Sequence, residues 1–364
     1  MEITVLCKVV DNFGDIGVVW RLCKRFKEID PSIKINLITD DLVSFKKIFN
    51  KLSVEVVFQS FLGIDIYDWK NYAYCYEVFR KNDGEKLSII LENFQCGRPD
   101  WMEKILFEEK LNRTVNIIMI DYLTAEKYAE DFHCLKSLTR SAKVQKVNFM
   151  PGFTPKTGGL IIDSAWEKSF KRKRKGPALI FTYGRDWTPL AQALNKTSYN
   201  SILAPGKGFD SFKKAYNEIE KKRFQLEELD FMNQEDWDLV MKKCSVLFIR
   251  GEESLSRACL SGIPFVWHAY PQSEEYQLVK VDALLDRISE YFEFDDFELI
   301  HRVWLDFNSP QDKIPAEKFE KDVIEFLNRV DKLEKGFSAF ATDIRKNGDL
   351  ASNLMTFIQK IAII

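Results

Sequence analysis

Ser245-Val246-Leu247-Phe248-Ile249-Arg250-Gly251-Glu252-Glu253-Ser254 continues through Ser261-Gly262-Ile263-Pro264-Phe265-Val266-Trp267-His268 to Tyr270-Pro271-Gln272. The opening apolar run is rich in β-formers and bounded by polar residues, the pattern of a buried strand. A tight turn at Gly251, a helix near Ser254 to Leu260, a Gly-x-Pro break and a second buried strand follow. The spacing predicts a strand-turn-helix-turn-strand unit, with Arg250 at the carboxyl end of the first strand and Ser254 at the opening of the helix. Free backbone N–H groups and the positive end of a helix dipole make that position an anion site. Arg250 adds a bidentate cation suited to phosphate. Glu252 and Glu253 would repel a phosphate unless they accept hydrogen bonds from hydroxyls, which points to a sugar or ribose. They equally fit a helix's first turn as complements to its dipole, and spacing leaves both readings open.

Outward from this unit the chain alternates strand and helix patterns. A second such series begins at Ala178-Leu179-Ile180-Phe181-Thr182-Tyr183 and continues through Ser201–Leu203, Phe224–Leu229, Val246–Ile249 and Phe265–Trp267. Toward the amino terminus, Ile3–Val10 is a strand run, Asp11-Asn12-Phe13-Gly14-Asp15-Ile16-Gly17 a loop, and Val18–Phe26 a helix by its period. That loop lacks the Gly-x-Gly-x-x-Gly spacing of a dinucleotide fingerprint, and its aspartates suit a catalytic base better than a phosphate cradle. Further strands are expected at Ile35–Thr39, Val54–Phe58, Leu87–Leu91 and Val115–Ile120, with a helix at Leu42–Phe49. Met150–Gly159, with two prolines and three glycines, reads as a linker or an ordered loop bordering a cleft. The expected division is 1–155 as a first Rossmann-like domain, 156–345 as a second, and 346–364 as a carboxyl-terminal helix that crosses back. Glu274–Ile288 and Glu317–Ile361 read as charged and largely helical. Ligands of such sheets gather at the carboxyl ends of strands.

Composition bounds the class. With 364 residues, 46% hydrophobic and 30% charged, the chain is that of a globular protein of two domains. A net charge of −2 gives no basic field for nucleic acid, and no apolar run approaches a membrane span. The start at Met1-Glu2-Ile3 lacks a signal peptide's features, so a cytoplasmic location is expected. Seven scattered cysteines and three histidines form no zinc pattern and suit a reducing compartment. Phe and Trp, 29 and 8, are generous for the length; most should be core, and part of them should line a pocket. Lys171-Arg172-Lys173-Arg174-Lys175 reads as a solvated surface loop or an acidic-partner contact. Asp236-Trp237-Asp238 has the spacing of a metal-binding pair but falls where a solvated helix start is expected.

Two facing Rossmann-like domains, an acidic first loop and a phosphate-type site in the second domain describe the α/β GT-B glycosyltransferase fold with a central cleft. The sequence also resembles the bacterial elongation factor P arginine rhamnosyltransferases. The resemblance rests on Asp11–Val18 with Trp20-Arg21-Leu22, on Pro151-Gly152-Phe153-Thr154-Pro155 with Thr157-Gly158-Gly159-Leu160, and on Arg250–Gln272. It implies an inverting, metal-independent enzyme that needs no cofactor. Such an enzyme moves L-rhamnose from dTDP-β-L-rhamnose to a guanidinium nitrogen of one arginine of elongation factor P, activating that factor.

By position, Asp15 matches the catalytic aspartate and Asp11 its neighbour, with Asn12, Phe13, Gly14 and Gly17 on the same loop at the substrate. Arg250, Gly251, Glu252 and Ser254 match residues around the diphosphate and sugar, with Glu252 placed among the catalytic groups. Glu253 stands where the family commonly has aspartate. Phe181 and Tyr183 match an aromatic pair on the nucleotide side, and Phe231 and Gln234 an element that contacts the thymine. Gly184 stands in place of an acidic residue, Asn233 of a proline, and Leu255 and Leu260 of larger residues. Taken without the resemblance, Asp15 also fits a helix N-terminal acid and the aromatics fit core packing. The alternatives are a GT-B transferase with another nucleotide sugar or acceptor, a non-catalytic nucleotide-sugar or translation-factor binding module, and a nicotinamide-dependent oxidoreductase, the last weakened by the missing fingerprint.

Overall fold

The computed structural model describes residues 1–10, 14–81, 85–167 and 176–362. Asp11, Asn12 and Phe13 of the first loop and the basic run 171–175 lie outside the described residues. The chain divides into two compact units, Met1–Ala165 with Arg345–Ile364, and Trp166–Ile344. The first break thus falls beyond the expected 155/156, because the residues around Gly158 and Leu160 hold the carboxyl-terminal helix.

The first unit starts with β1 (Glu2–Cys7), α1 (Gly14–Ile29), β2 (Lys34–Thr39), α2 (Leu42–Ile48), β3 (Phe58–Phe61) and β4 (Ile64–Asp68). It continues through α3 (Tyr72–Arg80), β5 (Ile89–Asn93), α4 (Asp100–Phe107), β6 (Val115–Ile120), α5 (Tyr128–Phe132), β7 (Lys136–Ser137) and β8 (Val144–Phe149). The second unit runs β9 (Ala178–Ile180), α6 (Thr188–Lys196), β10 (Ser201–Leu203), α7 (Phe209–Asn217), β11 (Leu226–Glu228) and α8 (Gln234–Lys243). After these come β12 (Val246–Arg250), α9 (Glu252–Ser261), β13 (Phe265–His268), α10 (Tyr276–Ser289), α11 (Phe294–Asn308) and α12 (Ala316–Ile344). The last helix, α13 (Leu350–Ala362), belongs to the first unit.

Among the described residues the first sheet has the order β3-β4-β2-β1-β5-β6-β8-β7. It is parallel except for the edge pairs β3·β4 and β7·β8. Strand alternation sorts its core onto two faces. Ile3, Val5 and Cys7 pack with Trp20 and Phe26 of α1 and with Leu354 and Ile358 of α13, whereas Leu6 packs with Phe79 of α3 and Trp101 of α4. The expected strand at Val54–Phe58 is instead a hairpin strand beginning at Phe58. The turn at Leu62 (φ 53°) and Gly63 (φ 72°) is left-handed at both residues, the conformation that suits a two-residue hairpin connection.

The loop after β8 is ordered within the first unit and ties down α13. Asn347 Nδ2 donates to the Phe153 carbonyl at 2.8 Å, Asn353 Nδ2 to Gly158 at 3.0 Å, and Leu350 N to Leu160 at 2.8 Å. Asp349 accepts from Ile162 N at 2.8 Å and pairs with Arg25 at 3.2 Å. Arg21, from the Trp-Arg-Leu block, makes a buried ion pair with Asp163 at 2.6 Å.

The second sheet has the order β11-β10-β9-β12-β13, all parallel. In both sheets the first strand of the unit is flanked on either side by later strands. The strand order reverses across β1/β5 in one and β9/β12 in the other, the positions at whose carboxyl ends ligands of such sheets gather. Among the described residues no helix is long and apolar enough to cross a membrane.

Candidate active site

Asp15 occupies the first turn of α1, where the chain returns from the carboxyl end of β1. Its side chain is buried. One carboxylate oxygen accepts from Val10 N at 2.7 Å and the other from the Tyr122 hydroxyl at 3.2 Å. Tyr122 follows β6, and its ring stacks on Phe94 with centroids 4.4 Å apart and planes 14° off parallel. Phe94 and Gln95 leave β5 in the left-handed region, with φ of 57° and 53°. Two consecutive non-glycine residues in that conformation are a strained stretch of the kind found at functional sites. Here they turn an aromatic ring over the residue that holds Asp15. Gln95 donates to Asp121 at 3.1 Å, and Asp121 accepts from the Tyr122 amide at 2.8 Å. Asn93, buried at the end of β5, donates to the Leu6 carbonyl at 2.9 Å and closes the gap between β1 and β5. The carboxylate is thus fixed at the switch point of the first sheet by a backbone amide and a tyrosine hydroxyl. Gly14 and Gly17 lie in α1 on either side of it.

In the second unit Arg250 ends β12 and is buried. Its guanidinium lies over two aromatic faces, 4.5 Å from the ring centre of Phe181 and 4.8 Å from that of Tyr183. Both aromatics follow β9, the neighbouring strand across the switch point. Gly251, at φ 73°, caps α9, whose first turn carries the half-buried Glu252 and Glu253 and the buried Ser254. The sequence placed this helix's opening at Ser254, and it begins two residues earlier, so all three polar residues share the first turn. The amide N–H groups there and the Arg250 guanidinium make this a place for a phosphate.

The floor beneath is fixed. Tyr183 N donates to Nδ1 of His268 at 3.1 Å. Burial, reinforced by the positive charges of Arg185 and Arg250, pushes the His268 imidazole down to about 3, so it stays a neutral acceptor. Beyond β13, Asn308 bonds the Trp267 carbonyl at 2.7 Å and the Ala269 amide at 2.8 Å, which fixes the exit toward Tyr270.

Gln234 is buried as the first residue of α8, capped by Asn233, whose side chain accepts from Asp236 N at 2.8 Å. Phe231 is half exposed in the loop before it. Trp237 and Phe181 meet in a T-shaped contact with ring centroids 5.0 Å apart, so α8 borders the Arg250 site. In the Asp236-Trp237-Asp238 stretch Asp236 is exposed in the first turn of α8, the solvated helix start expected of it, whereas Asp238 is buried. Sequence reading gave no role to Phe94, Tyr122, Lys207, His268 or Tyr270. The one local signal among them was Pro205-Gly206-Lys207-Gly208 between a strand and a helix, a glycine-flanked lysine where phosphate-binding turns occur.

The family model described as Elongation-Factor P (EF-P) rhamnosyltransferase EarP matches residues 3–359. The protein-arginine rhamnosyltransferase of Shewanella oneidensis is 28% identical over 397 aligned residues, covering 98% of this chain and 97% of that one. That of Pseudomonas aeruginosa is 26% identical over 337, covering 84% and 86%. A solved structure on EarP-mediated arginine glycosylation of translation elongation factor EF-P superposes with a TM-score of 0.58 at 16% identity, covering 99% of both chains. MurG of Acinetobacter baumannii gives 0.53 at 10% identity, covering 99% and 100%. The architecture is that of the GT-B glycosyltransferases. With a match spanning nearly every residue from β1 to α13, the chain belongs to the elongation factor P rhamnosyltransferase family of glycosyltransferases.

Proposed function

We propose that this protein transfers L-rhamnose from dTDP-β-L-rhamnose to a guanidinium nitrogen of a single arginine of elongation factor P, with inversion and without a metal or cofactor. The observation that carries the reading is the pair of charged groups buried at the two switch points in a chain of this family. One is a carboxylate held by a tyrosine hydroxyl, and the other a guanidinium over two aromatic rings at a helix start. An arginine side chain is a weak nucleophile, because its lone pairs are delocalised and its pKa exceeds about 12. Asp15, held by Val10 N and Tyr122, pairs with the acceptor guanidinium, orients one nitrogen and takes its proton as the C–N bond forms. Asp11, four residues earlier in the sequence, is assigned to the support of the same cation by the family resemblance. The anomeric C–O bond breaks with its electron pair leaving on dTDP, and single displacement turns the β-linked donor into an α-linked product. Arg250 and the N–H groups at Ser254 take up the charge of the diphosphate. Glu252 and Glu253 accept from sugar hydroxyls, and the carboxylate of Glu252 steadies positive charge developing on the sugar ring. Phe181, Tyr183, Phe231 and Gln234 hold the nucleoside. The reaction takes place in the cytoplasm, where the acceptor factor and the nucleotide sugar are found together.

Intact-mass spectrometry of the cognate elongation factor P, after incubation with this protein and dTDP-β-L-rhamnose, tests the whole reading. A gain of one deoxyhexose mapped to one arginine supports it. No gain while dTDP still binds moves the acceptor elsewhere, and no gain with no dTDP binding refutes the donor as well.

A further inference from the structure

Between β10 and α7 the chain reads Ala204-Pro205-Gly206-Lys207-Gly208. β10 is parallel to β9, and Ala204 N donates to the Ile180 carbonyl at 2.9 Å, so this turn leaves the sheet alongside Phe181–Tyr183. The two glycines let it come closer than any side chain would allow. A Cβ on Gly208 would lie 2.6 Å from both the carbonyl and the hydroxyl oxygen of Thr182. A Cβ on Gly206, at φ 148°, would lie 3.1 Å from Arg250 Nη2 and 3.3 Å from the Phe181 ring. The close fit fixes where Lys207 begins, and its ammonium rests 5.6 Å from the Tyr183 ring centre and 5.2 Å from that of Tyr270. The Tyr183 ring therefore carries two cations, the Arg250 guanidinium and the Lys207 ammonium. Two cations around one ring, one of them 3.1 Å from where a Cβ on Gly206 would stand, give a positive field that favours an anion reaching both. A lone phosphate needs one of them; a diphosphate has charge for both.

We propose that Lys207 is a second diphosphate-binding cation, carried by the Pro205–Gly208 turn to act with Arg250 on the nucleotide-sugar donor. This rests on the donor reading above and adds to it a residue and a loop. Arg250 is planar, buried and fixed, whereas Lys207 is exposed on a flexible stem. Lys207 accordingly closes over the diphosphate from the solvent side after Arg250 has engaged it.

Calorimetric titration of the full chain with dTDP, UDP, thymidine and inorganic pyrophosphate tests the assignment. The wild type is compared with Lys207→Met and Lys207→Arg, and melting temperature confirms folding. Loss of one charge-assisted contact weakens dTDP binding roughly tenfold to a hundredfold in Lys207→Met. Thymidine binding stays at the wild-type value, the salt dependence of dTDP binding becomes shallower, and Lys207→Arg recovers most of the affinity. Wild-type dTDP affinity in Lys207→Met overturns the proposal, as does an equal loss for thymidine and dTDP. A wild type that binds UDP or pyrophosphate but not dTDP refutes the donor identity alone, and the Lys207→Met loss is then read on the ligand that binds. A wild type that binds none of the three diphosphate probes overturns both.

Discussion

Replacing Tyr122 by Phe deletes one hydrogen bond to Asp15 and leaves the ring stacked on Phe94. The bond is 3.2 Å long, beyond the usual O–H···O separation of about 2.7–2.8 Å, so it belongs at the weak end of bonds to a charged acceptor. At about 1–1.5 kcal/mol, its loss lowers kcat/KM for rhamnosyl transfer by roughly fivefold to tenfold. Val10 N still holds the other oxygen at 2.7 Å, which is why the loss is not larger. The stack, with centroids 4.4 Å apart, keeps the ring in place, and no packing is removed. The assay is initial-rate rhamnosylation of elongation factor P at varied factor concentration, with dTDP affinity and melting temperature measured on the same preparations. The loss should fall on transfer, with dTDP affinity and melting temperature at wild-type values. Undiminished transfer would refute the idea that Tyr122 orients the base. A fall in dTDP affinity would place Tyr122 at the nucleotide instead.

Asp15→Asn keeps the shape of the site and removes the carboxylate proposed as the proton acceptor. Transfer should vanish while calorimetry finds dTDP binding unchanged, and full activity would remove Asp15 from the chemistry. His268 carries a pH signature. Its folded-state value lies near 3, below the ordinary imidazole value of about 6.5, so the unfolded chain binds more protons between the two. Stability contributed by the neutral ring is complete above pH 6.5 and drains as pH falls toward 3, by about 2 kcal/mol from pH 6.5 to 5. Denaturant unfolding of the wild type should show a steeper loss across that range than His268→Asn does, and parallel curves would contradict it. Asp349→Ala removes the acceptor for Ile162 N, the Arg25 ion pair and the cap bonds from Ser352 N at 3.1 Å and Ser352 Oγ at 2.9 Å. It should destabilise the first unit by about 2–4 kcal/mol, read as a shift of the denaturant midpoint; a shift worth under about 0.5 kcal/mol would mean the carboxylate does not hold α13.

The central strands of both sheets could be read in the sequence because strands buried on both faces are largely apolar runs, as Val246–Ile249 is, whereas β8 went unread because its buried residues are interrupted by Gln145, Lys146 and Asn148. The β3–β4 hairpin could not, because its turn puts a leucine, Leu62, in a left-handed conformation that sequence signals assign to Gly or Asn. Helix α11 also went unread, though its Asn308 fixes the exit of β13. In the site, what could be read was local. Arg250, Gly251 and Ser254 are one strand end and one helix start, and that placement could be read from their spacing. What could not be read was contact across the fold. Tyr122 meets Asp15 from 107 residues away, and His268 meets Tyr183 from 85. Parallel sheets create such meetings, since every strand sends its carboxyl end to the same edge whatever the length of the connection.

The same geometry separates chemistry from architecture within the blocks that resemble the family. The Pro151–Leu160 block does its work through carbonyls that accept from Asn347, Asn353 and Leu350, and it secures α13. Trp20 packs on Phe45 and Phe49 at 5.1 and 5.0 Å, and Arg21 closes on Asp163. These residues set where α1 lies, and α1 sets where Asp15 points. Replacing them should therefore lower stability and transfer together, whereas replacing Asp15 should lower transfer alone. A family match grades both kinds of residue alike; only the direction in which each side chain is spent, into the core or into a crevice at a strand's carboxyl end, tells them apart.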